Sequence, residues 1–198
     1  MKNLIVSIFL LCLISSHSFA QNINTRSKSI GVSFLLNDFT TAQRIRSSSL
    51  EQVFRDKKWA KFNEMSPGLG ITYFKGLQDH LDFAGTLAAS FVNYPFPTRA
   101  PSASDALLLE ADASVNVKMF SDSYWFTPYF SAGVGASKFK DFYGAFIPLG
   151  LGFKVDFYRE ASIFVNTQYR VPVTTENSNY HFMYSIGVAG VIGKSKAK

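Results

Sequence analysis

The sequence predicts an all-β fold, an eight-stranded antiparallel up-and-down transmembrane β-barrel, and three observations support it. Of the 198 residues, 47% are hydrophobic and 16% aromatic but only 17% are charged, whereas a soluble domain usually carries about 25% charged residues. No internal run of about 20 apolar residues exists, which excludes a helical membrane protein. Apolar and polar residues instead alternate in eight segments, as in strands with two unlike faces.

The beginning of the chain has the features of a signal peptide. An apolar run at 4–14 follows a basic start, and small residues precede Gln21, so we expect residues 1–20 to be cleaved during export. The run is too short to span a membrane as a retained anchor. Cys12 is the only cysteine and lies inside this segment, so disulfides and cysteine-based metal sites are excluded from the exported chain.

Most of the alternating segments have roughly 9–14 residues, the length that a tilted strand needs to cross a bilayer. The fourth is the clearest: apolar side chains from Leu109 to Met119 share one face, and polar side chains from Glu110 to Lys118 share the other. The predicted strands cover, in order, residues 30–37, 68–73, 81–91, 109–119, 126–137, 147–156, 163–171 and 182–192.

The polar face of these strands is built mainly from Gly, Ala, Ser and Thr with a few charges, which predicts a narrow, polar and hydrated interior. The alternative is a soluble barrel of lipocalin type that carries an apolar ligand inside. A packed apolar core needs large side chains, and seven glycines on the polar face do not provide them: Gly31, Gly70, Gly133, Gly135, Gly150, Gly152 and Gly187.

The connections alternate in length. Tight turns are expected near 76–79, 121–123 and 158–160, and longer loops at 40–66, 94–105 and 172–180, with a shorter one at 138–143. In outer-membrane barrels the short turns lie in the periplasm and the long loops outside. The phasing therefore predicts that both termini are periplasmic.

The longest connection leaves two alternatives open. Ser48 and Glu51 have the spacing of a capping box, and a patchy apolar stripe continues through Lys61, which indicates a helix. A plain solvated loop explains the segment equally well, because the stripe is weak.

Two stretches resemble a known family. Residues 127–136, Thr-Pro-Tyr-Phe-Ser-Ala-Gly-Val-Gly-Ala, resemble the fifth strand of small outer-membrane barrels, and 147–170 resembles the pair of strands that follows it. The whole exported chain is similar to the transmembrane barrel of the outer-membrane protein A family, in a form common among Bacteroidetes-type bacteria. The resemblance implies a barrel over 21–193 and a basic periplasmic tail at 194–198. Family members often carry a peptidoglycan-binding domain after the barrel, but only the short tail follows here, so peptidoglycan binding is not expected.

Charged residues on the predicted interior face are the first candidate site. A buried charge must be paired or hydrated, so these residues form either a salt-bridge plug that gates a narrow pore or a static polar core. We favour the static core, since eight strands rarely leave an open channel. This lumen charge cluster comprises Glu110, Asp112 and Arg170 in the outer half and Lys118, Lys154 and Asp156 towards the periplasm.

A basic outer loop is the second candidate site. Its six cations face three carboxylates, which gives 6 − 3 = +3. Such a loop is suited to lipid phosphates, lipopolysaccharide or another polyanionic surface partner, and the alternative is a solvated loop without a partner. The cations are Arg44, Arg46, Arg55, Lys57, Lys58 and Lys61.

Other chemistry has little support. The exported chain has only two histidines, His80 at a periplasmic turn and His181 at the outer rim near Ser178 and Glu176. That trio lacks an oxyanion hole, so we do not expect a lipid-modifying enzyme and assign His181 to an aromatic belt or a loop. No cofactor, metal or nucleic-acid motif is present. Aromatic girdles are expected to include Trp125, Phe126, Tyr129, Tyr143, Tyr158 and Tyr184.

The sequence thus predicts an integral outer-membrane barrel with a structural or anchoring role, outer loops for surface interaction and a closed polar lumen. A small gated pore, a lipocalin-like carrier and, as the weakest alternative, a lipid-modifying enzyme remain to be distinguished from it.

Overall fold

Eight antiparallel strands close into a barrel, in which each strand pairs with its neighbours in the sequence and the first pairs with the last. The computed structural model describes residues 25–97, 105–158 and 160–193. The predicted signal peptide and basic tail, 1–20 and 194–198, lie outside the described residues. The strands are β1 (Ser29–Asp38), β2 (Ser66–Gln78), β3 (Leu81–Val92), β4 (Ala106–Lys118), β5 (Phe126–Phe139), β6 (Phe142–Phe157), β7 (Ala161–Pro172) and β8 (His181–Val191).

The predicted fold class is confirmed, and the alternation in sequence becomes an alternation between the inside and the outside of the barrel. In β4, Glu110 and Asp112 are buried inside, whereas Leu109, the residue before Glu110, is 44% exposed on the outer wall. The same two-residue period holds along every strand because side chains alternate across a pleated sheet. Apolar residues therefore cover the outer wall of the barrel and occupy only part of its interior.

The connections define two ends of the barrel. The loop end carries the connections β1–β2, β3–β4, β5–β6 and β7–β8, and the turn end carries the other three together with the segment before β1. The β5–β6 connection is shorter than predicted because both strands continue to a two-residue hairpin turn, Lys140-Asp141. Lys140 has φ 53°, the left-handed conformation that tight hairpin turns require.

The β1–β2 connection is a folded cap at the loop end, with helices α1 (Phe39–Ser47) and α2 (Leu50–Arg55) and a single 3₁₀ turn, Phe62–Glu64. Helix α1 starts directly after β1, because the Asp38 carboxylate accepts a hydrogen bond from the Thr41 amide at 2.8 Å. Among the described residues, no helix is long and apolar enough to cross a membrane.

The capping box predicted at Ser48 and Glu51 is wrong, and the helix begins one residue later. Ser49 is the N-cap of α2 and accepts a hydrogen bond from the Gln52 amide at 3.2 Å. Ser48 is already used at the end of α1, where its hydroxyl donates to the Arg44 carbonyl at 2.7 Å. The helix does not continue through Lys61, because Lys57 adopts φ 51° and turns the chain.

Large rings occupy part of the interior, and glycines make room for them. An added Cβ at Gly135 would overlap the ring of Phe146, which is buried inside the barrel. The same arrangement pairs Tyr129 with Gly152, and Phe164 with Gly31 and Gly187. The interior is therefore not lined only by small and polar side chains, as we expected. Its glycines leave the space that buried aromatic rings occupy.

Candidate functional site

Arg170 organises the loop-end part of the lumen charge cluster. Its guanidinium is fully buried and reaches from β7 across the barrel to β4, with Nη1 at 2.6 Å from Glu110 Oε2 and Nη2 at 3.1 Å from Asp112 Oδ2. Nη2 also lies 3.3 Å from the Gln168 side-chain oxygen, and the guanidinium stacks 4.7 Å from the centre of the Phe146 ring. One cation thus compensates two buried carboxylates from the opposite wall.

His181 belongs to this interior group. Its Nε2 lies 3.3 Å from Glu110 Oε1, its Nδ1 lies 3.1 Å from the Asn179 carbonyl, and the Phe39 ring stacks on it at 4.6 Å. The assignment of His181 to an aromatic belt or a loop is wrong, because His181 is the first residue of β8 and its side chain lies on the interior face of that strand. Its neighbours are consequently Glu110 and Phe39.

An apolar lid closes the loop end above these charges. Tyr94, 1% exposed, packs edge-on against Phe39 and lies 5.1 Å from the Phe139 ring. The Tyr94 hydroxyl accepts a hydrogen bond from the Asn179 amide at 2.8 Å. Burial raises the pKa of Tyr94 above its usual value. The lid consists of Phe39, Val92, Tyr94, Leu108 and Phe139.

A second group of charges fills the turn end. Lys118 Nζ lies 2.6 Å from Asp82 and 2.5 Å from Asp122, and it is almost completely buried. Lys154 points into the same space and lies 4.2 Å from the centre of the Phe74 ring, a cation–π geometry. The structure therefore places Lys118, Lys154 and Asp156 at the opposite end from Arg170.

Arg26, which precedes β1, completes this group and was missed by the sequence analysis, as was Asp122. The Arg26 guanidinium pairs with Asp156 and lies 3.9 Å from Asp82, and the Arg26 backbone amide donates to Asp122 at 3.0 Å. The alternation could not find it because Arg26 lies outside any strand. A charge count points to it only once the structure has placed Asp122 at this end: three carboxylates then face two lysines, and a buried excess charge requires a partner.

Little space remains between the two groups. One cavity of about 10 Å³ lies beside Lys154 and Tyr129, and one of about 20 Å³ lies near the middle of the barrel between Ser114 and Asn166. Each has about the volume that a single water molecule needs.

The six cations of the basic outer loop divide into two roles. Arg44 is structural: Nη1 donates to the Lys58 and Trp59 carbonyls at 3.2 Å, and Nη2 pairs with Glu64 at 2.9 Å. Arg46 stacks at 4.1 Å over the Tyr180 ring. These two arginines hold the cap together and against the β7–β8 connection.

The other four cations lie on the exposed side of the cap beside large apolar side chains. Lys58 lies 3.1 Å from Asp56, and its hydrogen bond and charge lower the pKa of that carboxyl. Phe54 is 70% exposed and packs edge-on against Trp59 at 6.0 Å. We call this surface the basic–aromatic edge; it comprises Leu50, Phe54, Arg55, Lys57, Lys58, Trp59, Lys61 and Phe62.

Most of the expected girdle residues point outward near strand ends, with one exception. Trp125, Phe126, Tyr143 and Tyr158 are exposed, and Tyr184 is half-buried. Tyr129 does not belong with them: its side chain is buried inside the barrel, because it shares the interior face of β5 with Thr127 and Ser131. Among residues 25–97, 105–158 and 160–193, no group of three or more His, Cys, Asp or Glu side chains is arranged to hold a metal ion.

Known structures share this architecture. No protein-family model and no curated protein matches the chain. The outer membrane protein OprG from Pseudomonas aeruginosa has a TM-score of 0.58 at 14% identity, over 86% of this chain and 98% of that chain. Neisserial surface protein A has a TM-score of 0.52 at 16% identity, over 83% and 97%.

A further structure is Ail, the attachment invasion locus protein of Yersinia pestis, in complex with the heparin analogue sucrose octasulfate. It has a TM-score of 0.50 at 11% identity, over 84% of this chain and 99% of that chain. At these identities the likeness concerns the fold. The chain thus has the closed eight-stranded antiparallel barrel seen in known outer-membrane proteins.

Proposed function

We propose that this chain is an integral outer-membrane protein, a closed barrel that anchors a folded cap at the cell surface. The observation that carries the proposal is the apolar outer wall, with Leu69, Phe91 and Val134 each about two-thirds exposed. A continuous band of such side chains is typical of barrels that face lipid. The loop end then lies outside the cell and the turn end in the periplasm, in keeping with the signal peptide expected at 1–20 and with a Bacteroidetes-type member of the outer-membrane protein A family.

The interior supports an anchor better than a carrier or an enzyme. A lipocalin-like carrier needs an apolar cavity of ligand size, but the cavities of about 10 and 20 Å³ are lined partly by charged and polar groups. A lipid-modifying enzyme needs an accessible catalytic group, whereas His181 is enclosed by Phe39 and Glu110.

Membrane fractionation with a heat-modifiability gel tests the location. We expect the full chain in the outer-membrane fraction, with a folded band that shifts only after boiling. A chain that stays soluble without detergent would contradict the proposal.

Planar-bilayer recording tests the closed interior against the gated pore. We expect no conductance steps from the wild-type chain, because side chains fill the barrel between the lid and the Arg26 group. Arg170→Ala is expected to stay silent, since the lid and the turn-end charges remain in place. Conductance that appears in Arg170→Ala would instead support a salt-bridge gate.

The basic–aromatic edge supports contact with anionic molecules at the surface. Lys57, Lys58 and Lys61 are exposed on a cap whose shape is fixed by Arg44. The likeness to Ail, which was crystallised with a heparin analogue, adds support that an eight-stranded barrel can present such a site.

Sucrose octasulfate and an anionic glycolipid are suitable probes for this surface. Changing Lys57, Lys58 and Lys61 to Gln is expected to weaken binding about tenfold, because exposed ion pairs contribute about 0.2–1 kcal/mol each. Added salt should weaken wild-type binding as well. Lys75→Gln, on the outer wall of β2, is the matched control, and unchanged binding in the triple variant would remove the cap from the proposal.

A further inference from the structure

The outer wall of the barrel has a concave strip across β3, β4 and β5. Two adjoining depressions of about 430 and 560 Å³ share Leu87, Ala111 and Ala136. The first reaches Lys138 and Tyr143 towards the loop end, and the second continues towards the middle of the barrel. We call this strip the wall groove and define it by Gly85, Ala111, Ala113, Ala136, Lys138 and Tyr143.

Strand register explains why the wall is concave here. Ala111 lies opposite Ala136, and Gly85 lies opposite Ala113, so that small residues meet on three neighbouring strands. Many other outward positions of the wall carry Leu, Ile, Val or Phe. A groove left empty loses the dispersion contacts that its lining would otherwise make, and a flexible acyl chain can supply them.

A cation lies at the loop-end mouth of the wall groove. Lys138 points outward from β5, opposite Tyr143 in the register, with Nζ 5.3 Å from the centre of its ring. With a rise of about 3.3 Å per residue, Lys138 lies about 7 Å from Ala136 and about 13 Å from Val134 along the strand. A long lysine side chain at this position keeps its ammonium group at the polar boundary while its stem follows the apolar wall.

We propose that the wall groove is a binding site for one anionic lipid of the surrounding bilayer. An acyl chain lies over Gly85, Ala111, Ala113 and Ala136, and the phosphate of the same lipid pairs with Lys138. The assignment to an anionic lipid rests on the order of groups along the groove. Its floor is apolar, and it ends at the Lys138 cation on the side where the lipid headgroups lie. The site rests on the proposed insertion into a membrane, but not on the basic–aromatic edge, which lies on the cap.

Native mass spectrometry of the full chain, released from bilayers of phosphatidylglycerol and phosphatidylcholine in equal amounts, tests the site. We expect one phosphatidylglycerol to be retained on the wild-type barrel. Lys138→Gln should reduce the preference for phosphatidylglycerol about threefold, as for one exposed ion pair, and leave retention of phosphatidylcholine unchanged. Lys75→Gln should keep the wild-type preference.

Filling the groove tests the acyl-chain part of the site. Ala111→Leu with Ala136→Leu should abolish retention of either lipid, whereas Gly190→Leu, at an outward position with no atom within 4 Å of an added Cβ, should not. A heat-modifiable band establishes that each variant is folded and inserted, so that failure of membrane insertion is seen separately. Undiminished lipid retention in the filled variant would overturn the proposal, as would a dimer of the wild-type chain that the filled variant loses.

Discussion

Arg170 shows how much of the interior depends on single side chains. Its guanidinium joins β7 to two carboxylates of β4, and it lies against Phe146, which in turn occupies the space above Gly135. A charged and an apolar contact thus fix the same residue. Removing one partner of such a buried group leaves the others without compensation, which costs more than the pair itself contributes.

We expect Arg170→Ala to lower the free energy of unfolding by about 3–5 kcal/mol, because Glu110 and Asp112 would stay buried without a cation. Urea unfolding of the barrel in vesicles measures the change. Adding Glu110→Gln and Asp112→Asn to the variant should restore part of the loss. A loss below about 1 kcal/mol would mean that water already compensates these carboxylates.

Gly135→Ala should lower the free energy of unfolding by about 1–3 kcal/mol, since the added methyl group overlaps Phe146 and the ring is held by Arg170. Gly190→Ala introduces the same change on the outer wall, where the methyl group meets no atom within 4 Å. The two variants can be compared by the temperature at which the folded gel band disappears. Equal shifts would show that backbone freedom, and not the contact with the ring, sets the cost.

At the scale of whole elements, the cap differs from the strands that carry it. Asp38 and Thr41 start α1, and Arg44 then ties the end of the cap back to this helix through the carbonyls of Lys58 and Trp59. The amide of Ala60 donates to the Thr41 hydroxyl at 2.9 Å. The connection is therefore a folded unit, not a plain solvated loop.

The cap should loosen in acid, because Glu64 accepts a hydrogen bond from the Lys61 amide at 2.7 Å and pairs with Arg44. The Lys61 hydrogen bond in particular lowers the pKa of Glu64 below its ordinary value of 4.5. A lowered folded-state pKa contributes stability that is complete above pH 4.5 and is lost as the pH falls through the lowered value. Trp59 fluorescence in a Trp125→Phe background should change over that acidic range. Glu64→Gln should reduce this pH dependence, and the Asp56 carboxyl, whose pKa is also lowered, accounts for the remainder.

The strands were predictable from the sequence, and the cap and the turn-end closure were not, for a physical reason. In β4 the polarity of each side chain indicates whether it faces the interior or the outer wall. The alternation alone therefore places Glu110 and Asp112 inside. In the cap, Ser48 and Ser49 are chemically equal candidates for an N-cap, and only the end of α1 decides between them. Arg26 does not belong to an alternating strand pattern. Its position depends on Asp82 and Asp156, which are distant in the sequence.

At the scale of the whole molecule, the two ends are closed by different means. The loop end has an apolar lid over a charged group, and the turn end has charges in contact with Arg26 from outside the strands. The backbone of Arg26 lies so close to Gly76 that a Cβ there would meet its amide nitrogen at 2.7 Å. Arg26, although it lies outside the strands, is consequently part of the packed turn end of the barrel.

Arg26→Ala should destabilise the barrel by about 1–3 kcal/mol, as expected when charged groups lose a hydrogen-bond partner, because Asp156 would lose its arginine. Lys28→Ala, two residues later on an exposed side chain, should have little effect. Thermal gel shifts of the two variants test this. Indistinguishable shifts would mean that Arg26 only rests at the end of the barrel.

The pairing of β1 with β8 has a consequence for assembly. Ser29 pairs with Val191, about 160 residues away along the chain, so this seam can close only when the chain from β1 to β8 is complete. Until then both β1 and β8 present unpaired edges, which are templates for pairing with the wrong chain. The last step is also the one with the longest loop to close. The β1 and β8 edges are therefore the two edges of this barrel that have to be kept from other chains until the seam closes.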